Sequence, residues 1–272
     1  MKIPDGHTKI LGLIGSTIQE SLSYALHNSV LNSLELNAVY LPLQSSQSSW
    51  QSIFELDHFL GANVTMPYKE SLLSSMDILT ERARKIGAIN TIHKNDGKLI
   101  GDNTDTIGFL SALQDQRISW GDHPIYILGA GGAAKAICHA LSSLDVKSVF
   151  VWNRNAKRIQ NLDGLLPQIH LWDKVTPLPD KAIVIQCTPL GQQGEDPLEQ
   201  HDLSPDQIVL DLIYKPTPLI KRMQNLGGVA IDGRGMLIHQ AAHSFSTWFD
   251  CPPPLETMTN TFANLHSTES AI

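Results

Sequence analysis

The sequence predicts an α/β fold whose sheets are largely parallel. Short apolar runs alternate with amphipathic stretches of helical spacing almost from end to end, and this alternation is typical of strands joined by helices. The composition agrees, because 42% hydrophobic residues exclude a disordered chain. At about 150 residues per domain, the length of 272 residues predicts two domains, with one large α/β domain as the alternative.

The elements of the first part of the chain are predicted from apolar periodicity and turn residues. They are a strand at 9–15, a helix over 22–34, a strand at 38–43, a short strand at 61–65, a helix over 72–86 and strands at 88–93 and 98–101. Asn95-Asp96-Gly97 lies between the last two strands and predicts a hairpin turn. The polar stretch 44–49 is expected to be a loop or the start of a helix.

The second part shows a cleaner strand and helix alternation. The predicted elements are a bridging helix over 107–113, a strand at 125–128, a helix over 135–144, strands at 148–152, 182–186 and 208–212, and a helix over 236–249. Because the strands are apolar throughout and the connections are helical, the pattern predicts a parallel sheet that is buried on both faces.

Charge and cysteine usage exclude several classes of function. The net charge is −7 with no dense Lys/Arg cluster, so a nucleic-acid partner is not expected. The three cysteines, Cys138, Cys187 and Cys251, are far apart and form no CxxC pair, which predicts neither disulfides nor a zinc site. No apolar run approaches a membrane span and the N-terminus lacks a signal-peptide pattern, so a cytoplasmic location is expected.

A glycine-rich turn stands between a predicted strand and a predicted helix. Gly129-x-Gly131-x-x-Ala134 has the spacing of dinucleotide-binding turns. Gly129 permits the tight turn, Gly131 lets the backbone approach a pyrophosphate, and Ala134 lets the helix pack on the strand. The helix N-terminus then offers free N–H groups to the phosphates.

The end of the next strand indicates which nucleotide binds. NAD enzymes place there a carboxylate that accepts a hydrogen bond from the ribose 2′-OH, but this chain has Asn153-Arg154-Asn155. Arg154 and Arg158, with Lys157 nearby, are suited to a 2′-phosphate. The sequence therefore predicts NADP rather than NAD, the alternative being a solvated basic helix start.

Four short polar groups follow predicted strands in the first part of the chain. They are Ser21-Leu22-Ser23, Asn63-Val64-Thr65-Met66-Pro67-Tyr68-Lys69, Asn90-Thr91 and Asn103-Thr104-Asp105. Hydroxyl and carboxamide groups suit a polyhydroxylated small-molecule substrate, and Lys69 with Asp105 suits acid–base chemistry. Taken singly, each group also fits a turn, a helix cap or a solvated charge.

Taken in order along the chain, these residues resemble the shikimate dehydrogenase family over essentially the full length. The shared motifs are the four polar groups, the glycine turn, Asn153-Arg154, Thr188-Pro189-x-Gly191, Asp211-x-x-Tyr214-x-Pro216 and Gly233-x-Gly235-Met236-Leu237 with Gln240. The resemblance implies reversible, NADPH-dependent reduction of 3-dehydroshikimate to shikimate.

The resemblance also implies the architecture. It places an N-terminal three-layer α/β substrate domain at 1–105, to which 236–272 returns, and a Rossmann-type NADP-binding domain at 106–235, with a cleft between the two. A homodimer is one expected assembly, and no metal is expected. His239 and His243 lie at a spacing that metal sites use, but no third ligand accompanies them, so surface histidines are the expectation.

The resemblance assigns the site residues by position. Lys69 and Asp105 are implied as the catalytic pair. The implied substrate-binding residues are Ser21, Ser23, Asn63, Thr65, Asn90, Tyr214 and Gln240. The implied nucleotide-binding residues are Gly129, Ala130, Gly131, Gly132, Ala133, Asn153, Arg154, Asn155, Arg158, Thr188, Leu212 and Gly233.

The chain departs from the family pattern at several positions. Those positions are Thr17, Glu20, Tyr24, Thr106, Cys187 and Arg234. Glu20 matters most, because a carboxylate beside Ser21 would repel an acidic substrate if it pointed inward. These departures leave open a relative that acts on quinate or another cyclic polyol acid. A nucleotide-sensing protein without catalysis is a third hypothesis, which the presence of Lys69 and Asp105 disfavours.

Overall fold

The computed structural model describes residues 3–44, 50–116, 120, 123–166 and 168–269. Most of the polar stretch at 44–49 lies outside the described residues. The chain forms two compact units: unit 1 is the part up to Gly108 together with the part from Ile238 onward, and unit 2 is Phe109–Leu237.

Strands and helices alternate along both units. The strands are β1 Lys9–Ile14, β2 Ala38–Pro42, β3 Phe59–Val64, β4 Ile78–Leu79, β5 Thr91–Asn95, β6 Lys98–Asp102, β7 Ile125–Leu128, β8 Val149–Trp152, β9 Ile169–Leu171, β10 Ile183–Gln186, β11 Ile208–Asp211 and β12 Val229–Ile231. The helices are α1 Ser23–Ser33, α2 Trp50–Phe54, α3 Glu81–Ile86, α4 Asp105–Gln116, α5 Gly132–Leu141, α6 Pro218–Asn225, α7 Arg234–Phe249 and α8 Leu255–Glu269.

The sheet of unit 1 is mixed, in the order β2-β1-β3-β5-β6-β4. Strand β1 runs parallel to β2 and β3, whereas β5 is antiparallel to both β3 and β6. The predicted hairpin turn between β5 and β6 is confirmed, because Asp96 and Gly97 have φ of 48° and 75°, as a turn of this handedness requires. This antiparallel pair places the Asn90 and Asp105 segments side by side.

The sheet of unit 2 is parallel throughout, in the order β12-β11-β10-β7-β8-β9. Its strands are apolar on both faces: Ile125 and Ile127 join one buried cluster, and Tyr126 and Leu128 join another. The strand order reverses between β7 and β10, and ligands of such sheets bind beyond the carboxyl ends of the strands at the reversal.

The predicted long helix over 72–86 is wrong. The segment instead contains a 3-10 turn at Ser71–Ser75, then β4, then α3. Two polar residues interrupt the apolar period. Asp77 exchanges hydrogen bonds with Leu99, and Thr80 caps α3 by accepting a bond from the Ala83 N–H at 3.1 Å.

Helix α5 begins at Gly132, three residues earlier than the sequence predicts, so Ala134 already lies in its first turn. The sequence prediction missed α2, β9, α6, β12 and α8. The chain passes between the units inside α4 and inside α7, whereas the sequence prediction placed both boundaries near the starts of these helices. None of the helices in the described part of the chain has the length and apolarity of a membrane span.

Candidate active site

Lys69 and Asp105 form an ion pair in unit 1. The ammonium of Lys69, in the turn after β3, contacts Oδ2 of Asp105, the first residue of α4, and the two side chains are 18% and 5% exposed. A carboxylate at a helix N-terminus is stabilised by the free N–H groups there. Asn103 fixes this start, because its Oδ1 accepts from the Asp105 N–H at 3.0 Å and its Nδ2 donates to the Ala88 carbonyl at 2.9 Å.

Asn90 holds the other oxygen of the Asp105 carboxylate. Its Nδ2 donates to Asp105 Oδ1 at 2.7 Å, and also lies 2.9 Å from Thr104 Oγ1 and 3.2 Å from Gln240 Oε1. Its Oδ1 accepts from the Thr104 N–H at 2.7 Å and from Thr91 Oγ1 at 2.8 Å. The amide is therefore fully engaged, and the carboxylate is held on one side by Lys69 and on the other by Asn90.

Ser244 connects this network to α7, and the sequence prediction missed it. Its hydroxyl lies 2.7 Å from Thr91 Oγ1 and 3.1 Å from Thr104 Oγ1, and it accepts from Asn63 Nδ2 at 2.9 Å. Its side chain is completely buried, one helical turn after Gln240. The signal that could have indicated it is a serine on the apolar face of a predicted helix, because buried hydroxyl groups need partners.

Asn63 is held inside the same network. Its Oδ1 accepts from the Tyr40 hydroxyl at 2.9 Å, and its Nδ2 also donates to the Asn90 carbonyl at 3.2 Å. Burial raises the pKa of Tyr40 well above its usual value, and a hydrogen bond with Ser23 opposes that rise. Ser23 also receives a hydrogen bond from Ser21, with 3.1 Å between their hydroxyl oxygens.

Unit 1 thus brings together most of the predicted polar residues. Lys69, Asp105, Asn90, Asn63 and Gln240 share one hydrogen-bonded network. Thr65 is half-buried beside β1, and its N–H donates to the Ile14 carbonyl at 2.8 Å. Tyr214 belongs to unit 2, where it is half-buried in the segment after β11.

Two departures from the family pattern have a defined place in the structure. The Tyr24 hydroxyl donates to the Ile18 carbonyl at 2.8 Å and so ties the two ends of the segment that carries Ser21. The Glu20 side chain is exposed. The neighbouring loop is therefore held by Tyr24, and the carboxylate at position 20 lies at the surface.

Two histidines of unit 1, His27 and His243, also have defined surroundings. His27 is fully buried and stacks on Tyr40 with 4.3 Å between ring centroids. Burial lowers the pKa of His27 to about 3, so it is neutral at physiological pH. Burial also lowers the pKa of His243, helped by the nearby charges of His239 and Arg82. Among the described residues, no group of three or more His, Cys, Asp and Glu side chains has the arrangement of a metal site.

The glycine turn of unit 2 has the conformation that its sequence predicts. Gly129 has φ of 114°, which a residue with a side chain rarely adopts. Gly131 is extended and precedes α5, and a Cβ built on it meets nothing within 4 Å. Space is therefore open beside the backbone of Gly131 where α5 begins, and a pyrophosphate requires such close access to the backbone at a helix N-terminus.

Asn153 couples this turn to the basic segment after β8. Its Oδ1 accepts from the Ala130 N–H at 3.2 Å, and its Nδ2 donates to the Asn155 carbonyl at 2.8 Å. Asn155 in turn accepts from the Lys157 N–H at 3.2 Å. Arg154 and Arg158 are exposed immediately beyond it.

The remaining predicted nucleotide residues lie at the carboxyl ends of neighbouring strands. Thr188 follows β10, and its methyl carbon lies 3.2 Å from the point that a Cβ on Gly129 would occupy. Leu212 follows β11. Gly233 follows β12, and a side chain there would collide with the Leu212 carbonyl. One edge of the parallel sheet thus gathers the turn, the basic segment and these residues.

Two family models match ranges of this chain. One family model, described as the shikimate dehydrogenase substrate binding domain, matches residues 13–92. A second, the shikimate 5′-dehydrogenase C-terminal domain, matches residues 233–261. The first range includes Lys69 and Asn90, and the second includes Gln240 and Ser244.

Relatives match almost the whole chain. Shikimate dehydrogenase (NADP(+)) of Rhodospirillum rubrum is 37% identical, over 92% of this chain and 95% of its own. The protein of the same name from Pyrococcus furiosus is 38% identical, over 90% of this chain and 91% of its own.

Solved structures share the fold. Shikimate dehydrogenase from Aquifex aeolicus has a TM-score of 0.84 at 32% identity, covering 96% of this chain and 99% of its own. The 5-ketofructose reductase of Gluconobacter has a TM-score of 0.80 at 26% identity, covering 96% of this chain and 100% of its own. On the similarity to the curated relatives across both units, the chain belongs to the shikimate dehydrogenase family.

Proposed function

We propose that the chain catalyses the reversible, NADP-dependent reduction of 3-dehydroshikimate to shikimate. The observation that carries the proposal is the ion pair of Lys69 and Asp105, oriented by Asn90. Family membership and the names of the relatives supply the substrate and the cofactor. The reaction is a step of aromatic amino-acid biosynthesis.

Lys69 is the proton donor in the direction of reduction. Its ammonium protonates the oxygen of the substrate ketone while negative charge develops there, and it takes the proton back in the reverse direction. A cation at this oxygen stabilises charge that exists only in the transition state. Asp105 orients the ammonium, and because Asn90 holds the second carboxylate oxygen, the pair cannot rotate freely.

Other polar side chains of unit 1 bind the substrate. We assign Ser21 and Ser23 to the substrate carboxylate, and Thr65 and Gln240 to the hydroxyl groups of the ring. The hydroxyl groups of Ser21 and Ser23 already lie 3.1 Å apart, so both can face one carboxylate. The side-chain amides of Asn63 and Asn90 are already hydrogen-bonded to protein groups, so we assign these two residues to maintaining the network rather than to binding the substrate.

Unit 2 fits NADP. When bound, the cofactor supplies the hydride. The backbone of Gly129–Ala133 and the start of α5 hold the pyrophosphate, since a Cβ on Gly131 meets open space. Arg154 and Arg158, exposed beyond the Asn153 contact with Ala130, pair with the 2′-phosphate.

Lys69→Ala tests the proposal directly. We expect kcat for shikimate oxidation to fall by about 10² to 10⁴-fold, the usual loss for a removed acid–base group, while the Kd for NADP stays unchanged. Lys94→Ala is the matched control, because Lys94 lies in the same unit and donates to the carbonyls of Phe54 and Leu56. Retention of activity in Lys69→Ala would contradict the assignment.

A second candidate is oxidation of quinate or another cyclic polyol acid. It is favoured by the unusual Ser21 segment, which Tyr24 ties through the Ile18 carbonyl, and by the structural similarity to a reductase named for 5-ketofructose. Steady-state rates with shikimate and with quinate, each measured with NADP and NAD, separate the two. A higher kcat/KM for quinate would select this second candidate.

A further inference from the structure

Gln186 is a buried polar residue to which neither the sequence prediction nor the proposed function gives a role. It is the last residue of β10, and its side chain is completely shielded from solvent. Its Oε1 accepts from the N–H and from the hydroxyl of Thr188, both at 2.9 Å. Its Nε2 donates to the Leu190 carbonyl at 2.6 Å and to the Thr188 carbonyl at 3.3 Å.

These bonds fix the rotamer of Thr188. The single hydroxyl proton of Thr188 is directed at Gln186, and the same oxygen accepts from the Leu190 N–H at 3.2 Å. With the hydroxyl held in this way, the methyl group has one position, on the side-chain side of Gly129, 3.2 Å from the point that a Cβ there would occupy. Staggered rotation about the Cα–Cβ bond offers two other wells, in which a different group would face Gly129.

We propose that Gln186 is a positioning residue for the nucleotide, which acts by locking Thr188 against the glycine turn. The inference rests on the proposed function, because it concerns how unit 2 receives NADP. The glycine turn holds the part of the dinucleotide that NADP and NAD share, so the lock affects both nucleotides by the same factor. In this respect Gln186 differs from Arg154, which distinguishes the two nucleotides.

Gln186→Met removes the hydrogen bonds and keeps nearly the same side-chain length. If Thr188 then samples its rotamers, only a fraction of the molecules is ready to bind, and the Kd rises by the inverse of that fraction. We expect Kd values for NADP and for NAD to rise together, by about three- to tenfold for a residue with three accessible wells. Calorimetric titration of each nucleotide into the purified protein measures both values.

Gln207→Met is the matched control. Gln207 is another buried glutamine of unit 2, whose Oε1 accepts from the Ser204 N–H at 3.1 Å and whose Nε2 donates to the Pro179 carbonyl at 2.8 Å. Its loss removes comparable bonds, but these bonds join Ser204 and Pro179 rather than Thr188. We expect a lower Tm in both variants, and an altered Kd only in Gln186→Met.

A double-mutant cycle with Thr188→Val tests the route of the effect. In the wild-type background this change removes the hydroxyl that Gln186 holds, whereas in the Gln186→Met background that bond is already lost. The change in Kd caused by Thr188→Val is therefore expected to be smaller in the second background. Equal changes in the two backgrounds would overturn the proposed route through Thr188.

The remaining outcomes separate this inference from the proposed function. If the wild-type protein fails to bind NADP, both are overturned. If the wild type binds and Gln186→Met shows unchanged Kd values, the inference alone is overturned. Should Gln186→Met not fold, Gln186→Asn serves instead: it keeps the amide but is one methylene too short to reach both Thr188 and Leu190, and an unchanged Kd in that variant overturns the inference equally.

Discussion

Asn90 shows how one side chain controls another at the active site. Its amide joins the Asp105 carboxylate to backbone and side-chain groups of the Asn103-Thr104-Asp105 segment. Lys69 therefore receives its orientation from a carboxylate that is itself held in place. A substitution at Asn90 therefore acts on Lys69, the proposed proton donor, through Asp105.

Asn90→Ala is expected to lower kcat by about tenfold to a hundredfold, since a hydrogen bond to a charged group contributes about 1.5–3 kcal/mol. The Kd for NADP is expected to remain unchanged. Steady-state rates with shikimate measure the first value, and titration measures the second. Asn37→Ala is the control, because Asn37 also pairs with side chains of unit 1, Asp5 and Thr8; an equal loss of kcat in both variants would contradict this role.

Arg154→Ala is expected to raise the KM for NADP by about tenfold or more, since a charge-assisted bond to the 2′-phosphate is lost. The KM for NAD is expected to change little, because NAD lacks that phosphate. Arg84→Ala is the control, since Arg84 lies in unit 1 and donates to the Leu79 carbonyl. Equal effects of Arg154→Ala on both nucleotides would show that the 2′-phosphate contact is misassigned.

At the scale of elements, the glycine turn between β7 and α5 combines two constraints. Gly129 has a positive φ, and a Cβ there would lie 3.2 Å from the Thr188 methyl and 3.3 Å from the Cys187 carbonyl carbon. The positive φ and the crowding by Thr188 and Cys187 each disfavour a side chain at position 129. Together they couple the conformation of this turn to the segment after β10.

Gly129→Ala is expected to lower both stability and nucleotide affinity. Gly97→Ala is the matched control, because Gly97 also has a positive φ, of 75°, but a Cβ there meets nothing within 4 Å. The control should cost about 1–2 kcal/mol for the backbone conformation alone. Urea unfolding gives the free energies, and a Gly129→Ala variant no less stable than Gly97→Ala would count against the crowding by Thr188.

The elements that the sequence predicts well are those with a local signal. The apolar strands β7 and β10 of unit 2 are buried on both faces, and their apolar neighbours β8 and β11 are at least half-buried; such apolar runs stand out in the sequence. The helix predicted over 72–86 is wrong because two polar side chains in it bond to backbone groups: Asp77 accepts from the distant Leu99 N–H, and Thr80 accepts from the nearby Ala83 N–H. Apolar periodicity carries no information about such bonds. Helix α6 has a local signal that apolar periodicity alone does not include: Thr217 caps it and Pro218 is its first residue.

The residues of the candidate site also differ in whether a local sequence motif indicates them. Lys69, Asp105 and Asn90 stand in short motifs, so the sequence identifies them. Ser244 stands in no motif, and its importance comes from bonds to strands far away along the chain. Gln186 is similar, because nothing in the sequence indicates that a glutamine ending an apolar strand bonds back to the next turn.

At the scale of the whole molecule, the two units carry buried titratable groups that respond to acid in opposite directions. In unit 1, burial lowers the pKa of His27 to about 3. In unit 2, burial and the nearby carboxylates of Asp232 and Asp196 raise the pKa of Asp211 to about 6, against hydrogen bonds from Ile213 and Thr217. Protonation of His27 in the unfolded chain therefore lowers the stability of the folded protein as the pH falls below 6.5, the pKa of an unburied histidine. Asp211 lowers it in the other direction, because the unfolded chain loses this proton first as the pH rises from 3.8 towards 6.

Lowering the pH from 7 to 4.5 is expected to destabilise unit 1 by about 2 to 3 kcal/mol through His27 and to stabilise unit 2 by about 2 kcal/mol through Asp211. Hydrogen exchange at β1 and β3 reports on unit 1, and exchange at β7 and β10 reports on unit 2. His27→Phe should remove the first change and Asp211→Asn the second. Identical pH responses of each variant and the wild type would contradict these assignments.

Unit 1 takes its last part from the far end of the chain. Gln240 and Ser244 lie on α7, and α8 contacts α1 through a hydrogen bond of 2.8 Å from Thr261 to Ser29. During synthesis, a ribosome makes Lys69 and Asp105 early and must then translate all of unit 2 before Ser244 exists. The ion pair of Lys69 and Asp105 therefore acquires its complete set of hydrogen bonds late in translation, and a nascent chain arrested before α7 would expose the polar ends of β3 and β5 to water.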